Sequence, residues 1–175
     1  LLADRFKLAV HTESRELPIY ALTLGRRDGK TGSQLRPAAV DCVAMFAARG
    51  RGGPPPAPPQ PGERPPCGMR LGPGNLSGGG VTMAQLSTTL SQFVQRVVVD
   101  RTGLTGNFDI DLTWTPDQLP QGRGEPTRGV QLPPIDPNGP SIFTAVQEQL
   151  GLKLDSQRGP VDVLVIDRVE QPTEN

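Results

Sequence analysis

The chain carries two kinds of hydrophobic period. Phe6, Leu8 and Val10 alternate with Lys7, Ala9 and His11, the period of a half-buried strand. Leu17 to Leu24 reads as a return strand with Tyr20, Leu22 and Leu24 on one face, and the polar Glu13–Glu16 stretch between them reads as a turn. A second such plan closes the chain. Lys153-Leu154, a charged turn ending in Pro160 and the apolar stretch Val161–Ile166 repeat Lys7-Leu8, the turn ending in Pro18 and the strand after it. Val163 and Val165 face one way and Leu164 and Ile166 the other, which predicts a strand buried on both faces at the centre of its sheet.

Between these ends the helical period takes over. Met83, Leu86, Leu90, Phe93 and Val94 fall on one face of a helix opened by Thr82, whose partner Gln85 completes a capping box. Val97–Asp100 follows as a strand, and Thr102–Gly106 turns it. Phe108, Ile110, Leu112 and Trp114 then alternate strictly with Asp109, Asp111 and Thr113, placing the first set in the core, packed on the helix. Ser141 caps a second helix whose Ile142, Phe143, Val146 and Leu150 face the core, and Gly151 ends it as a left-handed residue.

These elements predict an α+β fold: repeated helix-plus-β-hairpin units forming a mixed or antiparallel sheet with helices packed on it, and long Pro/Gly-rich loops. The expected divisions are a first hairpin over 1–25, a Pro/Gly-rich connection over 26–80, a helix-hairpin unit over 81–115, a Pro-rich loop over 116–140 and a last helix-hairpin unit over 141–175. Leu86, Leu90, Phe108, Ile110, Leu112, Trp114, Phe143, Val146, Leu150, Val163 and Val165 form the expected core.

Composition sharpens this picture. The 20 Pro and 21 Gly of 175 residues concentrate in the two connections, and Pro54–Pro66 holds eight prolines in 13 residues. Such a run is extended polyproline II, outside any helix or central strand. Cys42-Val43 to Ala48 is the one helical turn expected nearby. Basic and acidic residues number 18 each, so no net field draws the chain to nucleic acid or an anionic membrane. No apolar run reaches membrane-spanning length. Cys42 and Cys67 stand at the two feet of the Pro-rich run, too far apart for a C-x-x-C pair and with a lone His11 to complete any metal site; a disulfide is the expected pairing, and with it an oxidising compartment.

Catalytic chemistry finds little support. His11 stands among Thr12 and Glu13 with no Ser-x-Gly elbow, so it reads as a surface residue rather than a triad member. Asp109 and Asp111 share one strand face, with Asp100 on the strand expected beside it. Three carboxylates so placed could hold Ca²⁺ or act as a hydrolytic pair, but the same alternation makes them the solvated face.

Two long stretches, VVVDRTGLTGNFDIDLTWTPD and SIFTAVQEQLGLKLDSQRGPVDVLVIDRVEQPTEN, resemble the DUF3738 family of exported proteins from acidobacteria and related soil bacteria, and LLADRFKLAVHTESRELPIYALTLG resembles its middle section. The resemblance implies export, and a longer family protein with a secretion signal ahead of Leu1. It brings no catalytic residues. A helix followed by G-L-x-L and a closing V-x-V-I-D strand is also similar, at the level of fold, to the short N-terminal modules of secretins and TonB-dependent receptors.

The expectation is therefore an extracellular or periplasmic, non-enzymatic structural or protein-interaction module without a cofactor. Its partners are other proteins, including further copies of itself joined through sheet edges or Pro-rich segments into an oligomer or extracellular filament. The alternative is an exported carbohydrate- or metal-binding protein, or a hydrolase, using the Asp100, Asp109 and Asp111 face.

Overall fold

The computed structural model describes residues 5–26, 28–50, 64–116 and 136–171. The described elements follow in the order β1 (Ala9–Leu24), β2 (Leu35–Pro37), α1 (Cys42–Gly50), β3 (Gly68–Gly72), β4 (Asn75–Val81), α2 (Met83–Val94), β5 (Val98–Asp100), β6 (Phe108–Thr113), α3 (Ile142–Leu150) and β7 (Leu152–Arg168). The fold is α+β, with a mixed three-stranded sheet β5-β1-β7 and an antiparallel four-stranded sheet β2-β6-β4-β3.

Neither terminal hairpin forms. Each copy of the repeated plan is instead one long strand, 16 residues in β1 and 17 in β7, and the two copies pair with each other. They run antiparallel from Ala9 opposite Arg168 to Leu24 opposite Leu152, with a single bulge near the Ala9 end. The polar stretch Glu13–Glu16 keeps the strand alternation, and partners distant in sequence supply its hydrogen bonds. The prolines are accommodated by parity. The Tyr20 N–H and the Leu22 carbonyl reach across to β5, so the even-numbered residues of β1 turn their backbone groups away from β7. Pro18 is one of these, and Pro160 lies opposite Glu16, another; neither proline removes a bond from the β1–β7 ladder.

The long ribbon is anchored at one end only. Ile19, Ala21, Leu22, Leu152 and Leu154 are buried. The far half, Ala9–Glu16 against Pro160–Arg168, carries exposed or half-buried residues throughout. The final strand is therefore an edge strand rather than a central one. Val163 and Val165 are half-buried instead of core, and Leu164 and Ile166 are 67% and 61% exposed. Near the anchored end, the Lys153 ammonium and then the Thr23 hydroxyl hold the Asp155 carboxyl below its ordinary value. This contribution is present above the usual carboxylate range and fades as pH falls through the lowered value.

One core joins both sheets. Leu22, Val98, Leu152 and Leu154 come from the first, and Leu35, Leu76, Val81, Phe108, Ile110 and Leu112 from the second. Met83, Leu86 and Leu90 of α2 and Ile142, Ala145, Val146 and Leu150 of α3 fill the space between. Both helices start as their sequences predict. Thr82 and Gln85 form the reciprocal capping box, and the Ser141 hydroxyl accepts from the Thr144 N–H. Gly151 closes α3 at φ 68°, and the close approach of Thr31 and Gly32 leaves no room there for a side chain. Phe143 is a correction to the expected core: it is 40% exposed and lies edge-on against Tyr20, because Ile142 and Ala145 occupy the inward face of α3.

The second sheet also departs from expectation. β5 and β6 do not form a hairpin; β5 runs parallel to β1, while β6 pairs with β2 and β4. The stretch expected as loop holds a hairpin, β3–β4, turned by Pro73-Gly74. Where short β2 stops, the Gln149 side chain continues its role: its amide donates to the Thr113 carbonyl at 2.7 Å, and its oxygen accepts from the Thr113 N–H at 3.0 Å.

Trp114 is 6% exposed, with its ring edge-on to Phe93 of α2 at 4.8 Å between centroids. Trp114→Ala should cost about 3–5 kcal/mol in chemical denaturation, and the folded wild type should show the blue-shifted emission of a buried indole.

Candidate interaction surface

The cysteines are joined. Cys42, the first residue of α1, and Cys67, just before β3, form a disulfide with their Cα atoms 5.7 Å apart. The glycine run explains its fit. Gly80 has φ 63°, and a Cβ there would overlap the Cys42 sulfur, while a Cβ on Gly79 would overlap the Pro65 and Pro66 backbone. Gly79 and Gly80 form the irregular step of β4 against β6, which lets the disulfide and the returning chain lie directly on the sheet. Read in sequence alone, the same glycines look like a flexible loop.

The aspartates are not brought together as a site. Asp100 lies on β5 in the other sheet from Asp109 and Asp111. Its Oδ1 accepts from both the N–H and the hydroxyl of Thr102, fixing the turn after β5. Asp109 is a brace. Its Oδ1 accepts from the Gly80 N–H at 3.2 Å and its Oδ2 from the Ala39 N–H at 3.3 Å, tying the entry of α1 to the end of β4 beside the disulfide. Arg64 lies 3.2 Å from the Asp111 carboxylate and 3.9 Å from that of Asp109. Each oxygen of Asp109 thus accepts one backbone N–H, and the Arg64 guanidinium sets a positive charge beside both aspartates. Among the described residues, no group of three or more His, Cys, Asp or Glu is arranged to hold a metal ion.

His11 is exposed on the far half of the ribbon. Its Nδ1 lies 2.9 Å from the Asp167 carboxylate across the ladder, and Nε2 is 3.9 Å from Glu13. A shallow pocket of about 280 Å³ opens beside Trp114, lined among others by Asn75, Asp136, Pro140 and Gln149. The Gln149 amide there is already spent on Thr113, and the Asp136 carboxylate accepts from Asn138 N–H. Among the described residues no helix is long and apolar enough to cross a membrane. The Pro54–Pro61 part of the Pro-rich run and most of the 116–140 connection lie outside the described residues.

The projecting ribbon is what remains. On one face Val10 and Thr12 lie opposite Ile166 and Leu164; on the other His11, Glu13 and Arg15 lie opposite Val165, Val163 and Val161. A two-stranded ribbon in water is marginal without a further strand or a cover. Sequence reasoning missed this surface because it folded each strand back on itself.

A family model described as "Protein of unknown function (DUF3738)" matches residues 1–169, and the chain belongs to that family. No curated protein and no solved structure matches it, and the looser likeness to secretin and TonB-receptor modules gains no support from either.

Two outcomes follow from the disulfide and its brace. Replacing both cysteines by alanine should lower stability by about 3–4 kcal/mol in the chain-entropy picture, read by denaturant titration against the non-reduced wild type. Asp109→Ala should cost about 1–3 kcal/mol by leaving the Gly80 and Ala39 amides without their acceptor, and hydrogen exchange at those two amides should quicken.

Proposed function

We propose that this chain is a non-catalytic protein-interaction module that works outside the cytoplasm, and that the projecting half of the β1–β7 ribbon is its contact element. The observation that carries this reading is the ribbon itself: two paired strands standing clear of the core, with Leu164 and Ile166 exposed. A strand edge of this kind binds by adding another strand, with backbone bonds giving affinity and alternate side chains giving specificity. The disulfide supports an oxidising compartment, and the family resemblance noted in the sequence agrees with export. The interaction reading is preferred to a carbohydrate, metal or hydrolase role for the aspartate face because Asp109 braces the backbone and Asp100 stands in another sheet.

A photo-crosslinking side chain at Thr12, in protein expressed in its native host, tests the proposal. Protein adducts should form there and be absent when the probe is moved to Ala84, on the exposed side of α2. Turnover of a hydrolase substrate by the purified chain, lost in Asp109→Asn, with no adduct at Thr12, would overturn the reading.

A further inference from the structure

The two edges of the ribbon are not equivalent. On β7 the run Pro160–Ile166 is apolar except for Asp162. Pairing two copies of that run antiparallel sets Asp162 opposite itself or opposite an uncharged residue. The edge of β1 is different. Its backbone is engaged by β5 from Tyr20 onward, and among the described residues no strand pairs that edge from Ala9 to Ile19. The midpoint of this stretch is Ser14, and Ser14 is flanked by Glu13 and Arg15.

We infer that the partner of the ribbon is a second copy of this chain, added antiparallel along β1 about a two-fold axis at Ser14. The inference rests on the interaction-module reading above and names its partner. Charge complementarity commits it to one register. A two-fold at Ser14 sets Glu13 of each copy opposite Arg15 of the other, on the same face. Arg15 is exposed and Glu13 half-buried, and within one chain they already pair with each other, so the assembled edge would carry an alternating square of four charges.

Backbone parity agrees. The even-numbered residues of β1 turn their N–H and C=O groups toward this edge, as Tyr20 and Leu22 do toward β5. In this register Ser14 meets Ser14, and Thr12 meets Glu16, with both backbone groups available on each residue. The Glu16 carbonyl already accepts from Arg158 and keeps a second lone pair. Glu13 and Arg15 then fall at the narrow, non-hydrogen-bonded positions, where side chains come closest. Val10 meets Pro18, where the missing N–H ends the ladder. The length fits as well. β1 begins at Ala9, after Lys7 at φ 49° has turned the chain, so the partner's strand runs out where β5 takes over. The product is a continuous sheet β7-β1-β1-β7 with one strand pair from each copy.

Charge reversal tests this on the full chain with its disulfide intact. Sedimentation or light scattering should give twice 18.7 kDa for the wild type at high concentration. Glu13→Arg alone and Arg15→Glu alone should each weaken association by about tenfold or more. The double exchange Glu13→Arg/Arg15→Glu should restore it, and so should mixing the two single variants, since one edge is then all positive and the other all negative. Restoration on mixing also shows that both single variants fold. Ser14→Cys should close an intermolecular disulfide under mild oxidation. A wild type that stays monomeric, or single variants that associate unchanged, would overturn the two-fold pairing. If Thr12 adducts then contain a different protein, the interaction reading stands with another partner; if Thr12 yields no adduct at all, both fall.

Discussion

The rest of the structure depends on the pairing of β1 with β7. These strands come from opposite ends of the chain and are joined along their whole length. Closing so long a loop costs chain entropy before any contact repays it, and places this ladder among the non-local contacts that make folding slow. Once formed, it gives β5 the edge on which it lays its three residues, and it starts directly from the end of α3. Gly25 donates to the Gly151 carbonyl and Gly32 to that of Leu150, so the chain leaving β1 is stitched to the helix end that feeds β7. α3 in turn packs against both sheets through Ile142, Ala145, Val146 and Leu150. The two sheets share one core because the two ends of the chain are held together beside α3.

A second, smaller constraint organises the other sheet. The disulfide, Gly79 and Gly80, and the Asp109 carboxylate meet at one point. Here a carboxylate that resembles a catalytic or cation-binding group in sequence is consumed by backbone donors. α1 is held at its first residue by this knot, and Val43 and Phe46 on it remain exposed. Asp109 is thus tied into the framework of this sheet, while Leu164 and Ile166 on the ribbon are exposed.

Much of the fold was legible in the chain. The capping box at Thr82, the Ser141 cap and the Gly151 terminus are local devices, specified within a few residues. The alternation Phe108–Trp114 placed Phe108, Ile110, Leu112 and Trp114 inward, as they are found, because strand period and burial both act along one element. The cysteines' position at the feet of the Pro-rich run pointed to their pairing. The candidate site was far less legible. Asp100 reads as a neighbour of Asp109 only if β5 and β6 form a hairpin, and nothing within either strand records that they part into different sheets.

What the sequence determined by itself were the properties that short windows carry: helix ends, strand period, the inward set of β6, and the balance of charge. Partner choice lay beyond it. The plan written at both ends of the chain is equally compatible with two hairpins or with one ribbon, since Glu13–Glu16 satisfies the pattern of a polar turn and of a solvent-exposed strand alike. Only the tertiary structure decided between them, because backbone hydrogen bonds say nothing of the sequence distance they span. The same reason explains Val163 and Val165. Their apolar surroundings in sequence match a central strand, but burial depends on what lies across the sheet, and past Glu16 and Pro160 the ribbon has left the core behind.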